Sequence, residues 1–381
     1  MDRQNITKEK ATRFMKIGWS YLQRKFPPEV RTEIFHRLDS VIARGDFTLG
    51  REVKEFEDNF AAKIGIKHAI GVGNGTDALR LSLLAAGIKS GDEIITAANT
   101  FIATAGAICE VGAIPVFVDV TDNFCMDATK IKKAITRRTK AIMPVIWGGN
   151  MPDMNAIREL AIKYKLKIIE DSAQGIMSEI DGKKAGTFGD ISAFSLHPLK
   201  NLSVWGDGGM IVTDNDDYAK WLRLYRNHGL IARNTNSIAG CNSRLDTVQA
   251  VVAQYVLEQI DMITDNRIKN AAFMDEQLSK IPQVKLSRRF GKDRKVTFTL
   301  YENFYERRDE LQAYLKECGV EGLVHYPMPC YRNRAFQHKC KDGDFLITDW
   351  QAENKLSLPC HEHLEENELQ YIIDCVKKFY A

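Results

Sequence analysis

Between His68 and Thr213 short apolar runs alternate with helical patterns, and this alternation restricts the fold more than any other feature of the chain. HAIGV (68–72), EIIT (93–96), IPVFV (114–118), AIMPVI (141–146) and KIIE (167–170) have the composition of strands buried on both faces. Helical patterns over 77–86, 101–111 and 154–164 lie among them, and 191–196 and 210–213 add two β runs with no long helix between. Such spacing predicts an α/β fold with a mostly parallel, mixed sheet flanked by helices.

The chain continues well beyond one such sheet. At 381 residues it exceeds the roughly 150 expected of a single domain. Val248, Val251, Val252, Tyr255, Val256 and Ile260 form a helical stripe, predicting one helix over 247–266 that links two units. KVTFTLYENF (295–304) and GLVHYP (322–327) then read as β runs. RRDELQAYLKECG (307–319) reads as a helix closed by Gly319, and a last helix starts near Glu365. The expected organisation is an N-terminal extension over 1–30 ending at Pro27-Pro28, a large domain over 31–256 and a smaller α/β domain over 257–381.

Composition excludes several classes. Lys and Arg number 53 against 50 Asp and Glu, too even a balance to suggest a nucleic-acid or membrane-surface partner. No run of 18 residues is continuously apolar, and the polar N-terminus lacks the apolar region of an export signal. The eight cysteines include no C-x-x-C pair, so no metal site is expected and reduced thiols in a cytoplasmic protein are.

Three local features carry chemistry. GVGNGTDAL (71–79) follows a strand and opens a helix, where N–H groups around Gly75, Thr76 and Asp77 and the Thr76 hydroxyl suit a phosphate. A dinucleotide fingerprint fits less well, since its third glycine falls on Thr76. Asp171 ends the strand KIIED, where open α/β sheets place ligands, although Asp also caps helices well. Lys200 follows a β run ending at Ser195 and is flanked by Leu199, Leu202, Val204 and Trp205, with glycines at 206, 208 and 209. Lysines in loops are usually solvated. A desolvated one loses basicity and becomes a nucleophile able to form an imine with an aldehyde. A phosphate cradle, a strand-end carboxylate and a buried lysine, in that order, are what pyridoxal 5′-phosphate requires and what fold-type-I enzymes present.

The sequence also resembles the DegT/StrS family of nucleotide-sugar aminotransferases, from about residue 30 to the end. The resemblance rests on FTLGREVKEFEDNFAAKIGIKHAIGVGNGTDALRLSL, GDEIITAANTFIATAGAICEVGAIPVFVDV, TRRTKAIMPVIWGGNMPDM, KIIEDSAQ, FSLHPLKNLSVWGDGGMIVT, GCNSRLDTVQAVVA and VHYP…LSLP, in the family's order. It implies a fold-type-I transferase in which Lys200 anchors the cofactor and shuttles a proton. Asp171 would then pair with the pyridine nitrogen, and Gln174 would neighbour the phenolate oxygen. Gly75, Thr76, Asp77 and Ser195 would hold the phosphate, and Phe101 would stack on the ring. Asn242 would reach the phosphate of a neighbouring subunit, making the unit a homodimer with shared sites. Ordinary roles compete: core packing for Phe101, helix capping for Asn242 and a solvated first turn for Gln174.

The resemblance further implies L-glutamate as donor, pyridoxamine 5′-phosphate between half-reactions, and a keto sugar on a nucleoside diphosphate as acceptor. The basic stretch Arg288, Arg289, Lys292, Arg294 and Lys295 is a candidate for the diphosphate, reaching a neighbouring subunit's site, or else an exposed charged hairpin; His325 and Tyr326 are candidates for the acceptor pocket. Many relatives carry His and Tyr where this chain has Ile146 and Gly148, which shifts the expected sugar preference. The GDGG form around Asp207 favours a 3-keto over a 4-keto sugar, and Lys200 disfavours the dehydratase variant, which has histidine in its place. Two other classes stay open from sequence: an NAD(P)-dependent sugar oxidoreductase, and a non-catalytic regulator retaining the fold.

Overall fold

A computed structural model describes residues 15–19, 21–289, 293–336 and 345–381. A single helical turn, Leu22–Lys25, and two longer helices lead in. Helix α1 (Pro28–Arg44) starts on a proline, whose fixed φ suits a first helical position, and stops at Gly45 with φ +65°. Helix α2 (Arg51–Ile64) buries Val53, Phe56, Phe60 and Ile64 along one stripe and stops at Gly65 with φ +84°.

The apolar runs then assemble as a seven-stranded sheet. Its members are β1 (His68–Val72), β2 (Glu93–Ala97), β3 (Ile114–Val118), β4 (Thr139–Met143), β5 (Lys167–Asp171), β6 (Ile191–Ser195) and β7 (Gly209–Thr213), in spatial order β1-β7-β6-β5-β4-β2-β3. Only β7 runs antiparallel to its neighbours. The pleat sends alternate residues to opposite layers. In β1, Ile70 and Val72 pack with Leu79 and Leu83, whereas Ala69 packs with Phe56 and Phe60. Helices α3 (Gly75–Ala85) and α4 (Ile102–Glu110) follow β1 and β2 directly, so both start where those strands end.

The stripe at 247–266 is not one helix. It divides at Gln259 into α5 (Thr247–Glu258) and α6 (Ile260–Leu278), because the Gln259 N–H bonds three residues back to Val256 in a tight turn. A second, three-stranded antiparallel sheet follows, ordered β8 (Val284–Lys285), β9 (Tyr301–Tyr305) and β10 (Lys355–Leu358). Helices α6, α7 (Arg308–Glu317) and α8 (Glu366–Tyr380) cover it through Met274, Leu278, Leu311, Leu315, Ile372 and Val376.

Two β expectations are corrected here. In KVTFTLYENF only Tyr301 onward is strand at length; Arg294–Lys295 pairs instead with Glu179–Ile180. The residues between trade ladder bonds for bonds to the larger sheet's loops. Asn201 donates to the Thr297 carbonyl at 2.9 Å, and Thr299 donates to the Gln174 carbonyl at 3.0 Å. GLVHYP makes one bridge, Leu323 to Ser357, and then leaves the sheet.

The described residues before Pro27, 15–19 and 21–26, are built into the molecule. Ile17 bridges Val320 and is 1 % exposed within the core of the smaller sheet. Lys25 is buried, and its ammonium donates to the carbonyls of Lys200 (3.4 Å) and Asn201 (3.1 Å) and to Ser203 Oγ (2.7 Å). No helix among the described residues is long and apolar enough to cross a membrane. None of their His, Cys, Asp and Glu side chains gather as a metal-holding group.

Strand β7 passes so close to the β1–α3 turn that a Cβ on Gly209 would sit 2.3 Å from the Asn74 carbonyl oxygen. Backbone cannot yield there as a flexible side chain would. Gly209→Ala is therefore expected to cost about 1–3 kcal/mol through overpacking. A urea unfolding midpoint unchanged from the parent would contradict this account of the turn.

Candidate active site

A cavity of about 500 Å³ opens at the carboxyl ends of β1, β2, β4, β5 and β6, where open α/β sheets bind ligands. Gly75, Thr76, Phe101, Asp171, Gln174, Ser195, Lys200, His325 and Tyr326 all line it, although they span much of the sequence.

The cradle comes first. Asn74 caps α3 by accepting the Asp77 N–H at 2.8 Å, which leaves the Gly75 and Thr76 end of the helix facing the cavity. Ser195, ending β6, lies against this turn: a Cβ at Gly75 would sit 2.8 Å from the Ser195 Cβ. Glycine is what allows strand end and helix start to close into one anion-sized pocket. Asp77 does not line the cavity and is occupied within the cap. Its carboxylate accepts from Arg80 and from Ser243 Oγ, each at 2.7 Å.

Asp171 lies opposite. It is buried and accepts from Thr104 Oγ1 at 2.7 Å and from the Ala173 N–H at 3.2 Å. Thr104 is in turn 2.7 Å from Thr100 Oγ1. Burial raises the Asp171 pKa, while these donors and the Lys200 charge work against that rise. No helix starts at Asp171, so the capping alternative falls away. Sequence reasoning missed Thr104; its signal was a pair of threonines one helical turn apart in ANTFIAT.

Lys200 follows a turn in which its N–H bonds the His197 carbonyl at 2.8 Å. Its side chain makes no hydrogen bond to the described residues and faces the cavity. Enclosure by protein pushes its pKa down to about 8, against the pull of Asp171. A large share of this amine is thus neutral and nucleophilic near pH 8.

The remaining walls are aromatic or amide. Phe101 is 46 % exposed, which sets aside core packing, and its ring lies 5.1 Å from that of Tyr326. Gln174 accepts the Gly148 N–H at 2.6 Å, which directs its NH₂ away from that bond as a donor. Of the two departures from the family pattern within PVIWGGN, Ile146 lines the same wall and Gly148 is not among the lining residues. Trp147 and Trp19 line it too, and neither was singled out from the sequence.

Other expected residues do not line this cavity. Asn242 is exposed and bridges Asn227, outside this cavity. Arg289 is half-buried, ion-paired with Asp275 at 3.1 Å and laid over the rings of Phe298 and Tyr301. Arg288 is exposed and away from the cavity, Arg294 bonds the Met151 carbonyl, and Lys292 falls outside the described residues. Arg289 and Arg294 are thus engaged within the chain, which a run of cations in the sequence does not disclose.

The donor set fits pyridoxal phosphate. The Cβ-free Gly75–Ser195 junction suits a phosphate, buried Asp171 suits a ring nitrogen, and Lys200 has a reactive amine without a partner among the described residues. Comparison with known proteins agrees. Residues 28–377 match the DegT/DnrJ/EryC1/StrS aminotransferase family. The chain is 39 % identical over 355 residues to a pleiotropic regulatory protein of Geobacillus stearothermophilus, covering 92 % of this chain and 95 % of that one. It is 36 % identical over 353 residues to dTDP-3-amino-3,4,6-trideoxy-alpha-D-glucose transaminase of Streptomyces venezuelae, covering 92 % and 93 %. The crystal structure of S. venezuelae DesV in complex with a ketimine intermediate superposes with a TM-score of 0.92 at 35 % identity, covering 96 % and 98 % of the two chains. The architecture is that of a fold-type-I aminotransferase.

Cofactor loading tests the depressed lysine. Attack on an aldehyde needs the neutral amine, so loading of stripped protein with pyridoxal phosphate should accelerate as pH rises and level off above about 8. A rate still climbing toward 10.5, where an ordinary lysine titrates, would contradict the assigned environment.

Proposed function

Because the chain belongs to the DegT/DnrJ/EryC1/StrS aminotransferase family, we propose that it moves the amino group of L-glutamate to a nucleotide-linked keto sugar with pyridoxal 5′-phosphate as cofactor. The observation that carries this is the buried Lys200 amine facing the same cavity as Asp171 and the α3 anion cradle. When bound, the cofactor supplies an aldehyde that condenses with amines and a ring that accepts the electrons of a broken Cα–H bond.

The chain's own residues do the rest. The Gly75–Thr76 turn and Ser195 hold the phosphate, and Phe101 and Gln174 orient the ring and its oxygen. Asp171, oriented by Thr104, keeps a proton on the facing ring nitrogen. Lys200 Nζ would move the proton from the donor's Cα to the cofactor in the first half-reaction and make the reverse transfer, to the acceptor carbon, in the second. Glutamate leaves as 2-oxoglutarate and the keto sugar leaves as an amino sugar, so nitrogen and electrons balance.

We read residues 31–256 as the unit that carries the cofactor and 257–381 as the unit that closes over it. A homodimer is proposed in which the exposed Asn242 serves the neighbouring copy. His325 and Tyr326 are assigned to the acceptor sugar. Transfer to C3 is favoured by the GDGG segment, whose Asp207 lines the cavity, and by the 3-amino product in the name of the Streptomyces transaminase. The nicotinamide alternative is set aside by the family membership.

One relative's name keeps a regulatory role in view. Retention of both Lys200 and Asp171 favours catalysis, and colour separates the two. A catalytic protein should show an absorbance band near the visible edge that borohydride and glutamate each abolish, borohydride irreversibly.

Lys200→Ala should lose all transfer activity while melting at the parent temperature; substantial turnover by this variant would refute the proton-shuttle role. Asp171→Asn should still bind the cofactor but slow the glutamate half-reaction by about 100-fold or more, since a neutral amide cannot hold the ring nitrogen protonated. An undiminished stopped-flow rate would remove the carboxylate from the mechanism.

A further inference from the structure

His325 is a cavity residue gripped from behind by groups that the proposed reaction does not use. Glu302 on β9 and Ser357 on β10 are direct cross-strand partners, and Leu323 bridges the same Ser357 before the chain turns off toward the cavity. The result is a chain of hydrogen bonds. His325 Nδ1 lies 2.9 Å from Ser357 Oγ, and Ser357 Oγ donates to Glu302 Oε1 at 3.1 Å. Glu302 Oε2 accepts from the Trp147 indole at 2.7 Å, and the His325 backbone N–H is a further partner of this carboxylate. Glu302 and Ser357 are both buried. The ammonium of Lys355, held by Asn99 at 2.7 Å and lying 4.8 Å over the Trp147 ring, provides the counter-charge.

A serine hydroxyl has one proton. Given to the carboxylate, it leaves Ser357 Oγ only as an acceptor toward the imidazole, so the hydrogen on His325 must sit on Nδ1. Trp19 and Tyr326 complete the grip, their rings 4.9 Å and 5.6 Å from the imidazole. Nε2 has no partner among the described residues. Burial, with the Lys355 and Lys200 charges, also keeps the ring neutral, lowering its pKa to about 4.

We propose that Glu302, acting through Ser357, is a positioning residue that fixes His325 with its proton on Nδ1, so that Nε2 accepts a hydrogen bond from a hydroxyl of the bound sugar. This rests on the nucleotide-sugar function proposed above and adds to it a means of telling a hydroxyl donor from a carbonyl at one position. It also gives Trp19, from the segment outside the family resemblance, a part in the acceptor pocket.

The test is nitrogen-15 NMR of the full-length, cofactor-loaded protein carrying labelled histidine, with His325→Gln identifying the signals. The parent protein should show a protonated Nδ1 and a bare Nε2 at His325, and Ser357→Ala should give a mixture of tautomers. UDP-N-acetylglucosamine, dTDP-glucose and GDP-mannose, added in turn at saturating concentration, should include at least one that shifts Nε2 toward its hydrogen-bonded position. A proton found on Nε2 in the parent overturns the proposal without needing any variant to fold. So does an unchanged tautomer ratio in Ser357→Ala, or an Nε2 signal that none of the three sugars moves. A separate assay of amino transfer from glutamate decides the function: its failure with every keto sugar, beside a correctly placed proton, would condemn the proposed reaction and not the tautomer.

Discussion

Two charges that water would normally stabilise, the Lys200 ammonium and the Asp171 carboxylate, are instead enclosed at the edge of one sheet. Enclosure penalises both, and each offsets part of the other's penalty. Asp171 is retained through donors from Thr104 and Ala173, whereas Lys200 is left without a fixed partner among the described residues. That asymmetry holds one group in place as a charge and leaves the other ready to react. Most nearby features serve it: the glycine junction at 75 and 209 draws β6, β7 and α3 together, and the loop from β6 returns Lys200 over the end of β5.

How legible this was in the sequence depended on range. Each strand of the large sheet was visible because residues buried on both faces form continuous apolar runs. Asp171 and Ser195 could be placed because a residue at the end of such a run lies at the ligand-binding edge by topology alone. Lys200 needed only its apolar neighbours. Thr104 and Glu302 were not legible in the same way. Their roles depend on partners 67 and 55 positions away, in Asp171 and Ser357, and nothing local announces those meetings.

The misreadings have a common physical source. A run of Arg and Lys at 288–295 looks like one continuous binding surface, yet Arg289 within it is paired with Asp275 and lies on Phe298 and Tyr301. The stripe at 247–266 has uninterrupted helical periodicity, because the residues on both sides of the Gln259 turn are buried in the same core. Periodicity reports which side faces inward, and it does not report a change of axis. The 295–304 run was strand-like in composition, but its threonines were spent on stitching the two sheets together across Asn201 and Gln174.

The hydrogen bonds from Lys25 to the backbone of Lys200 and Asn201 have a consequence for how the protein is made. The pocket has Trp19 on one wall and a histidine held by Ser357 on another, so its walls and their supports come from widely separated parts of the chain. A nascent chain that has completed the seven-stranded sheet still lacks a finished pocket. The acceptor side of the pocket must therefore wait for translation to pass residue 357, well after the residues assigned to the cofactor have been made.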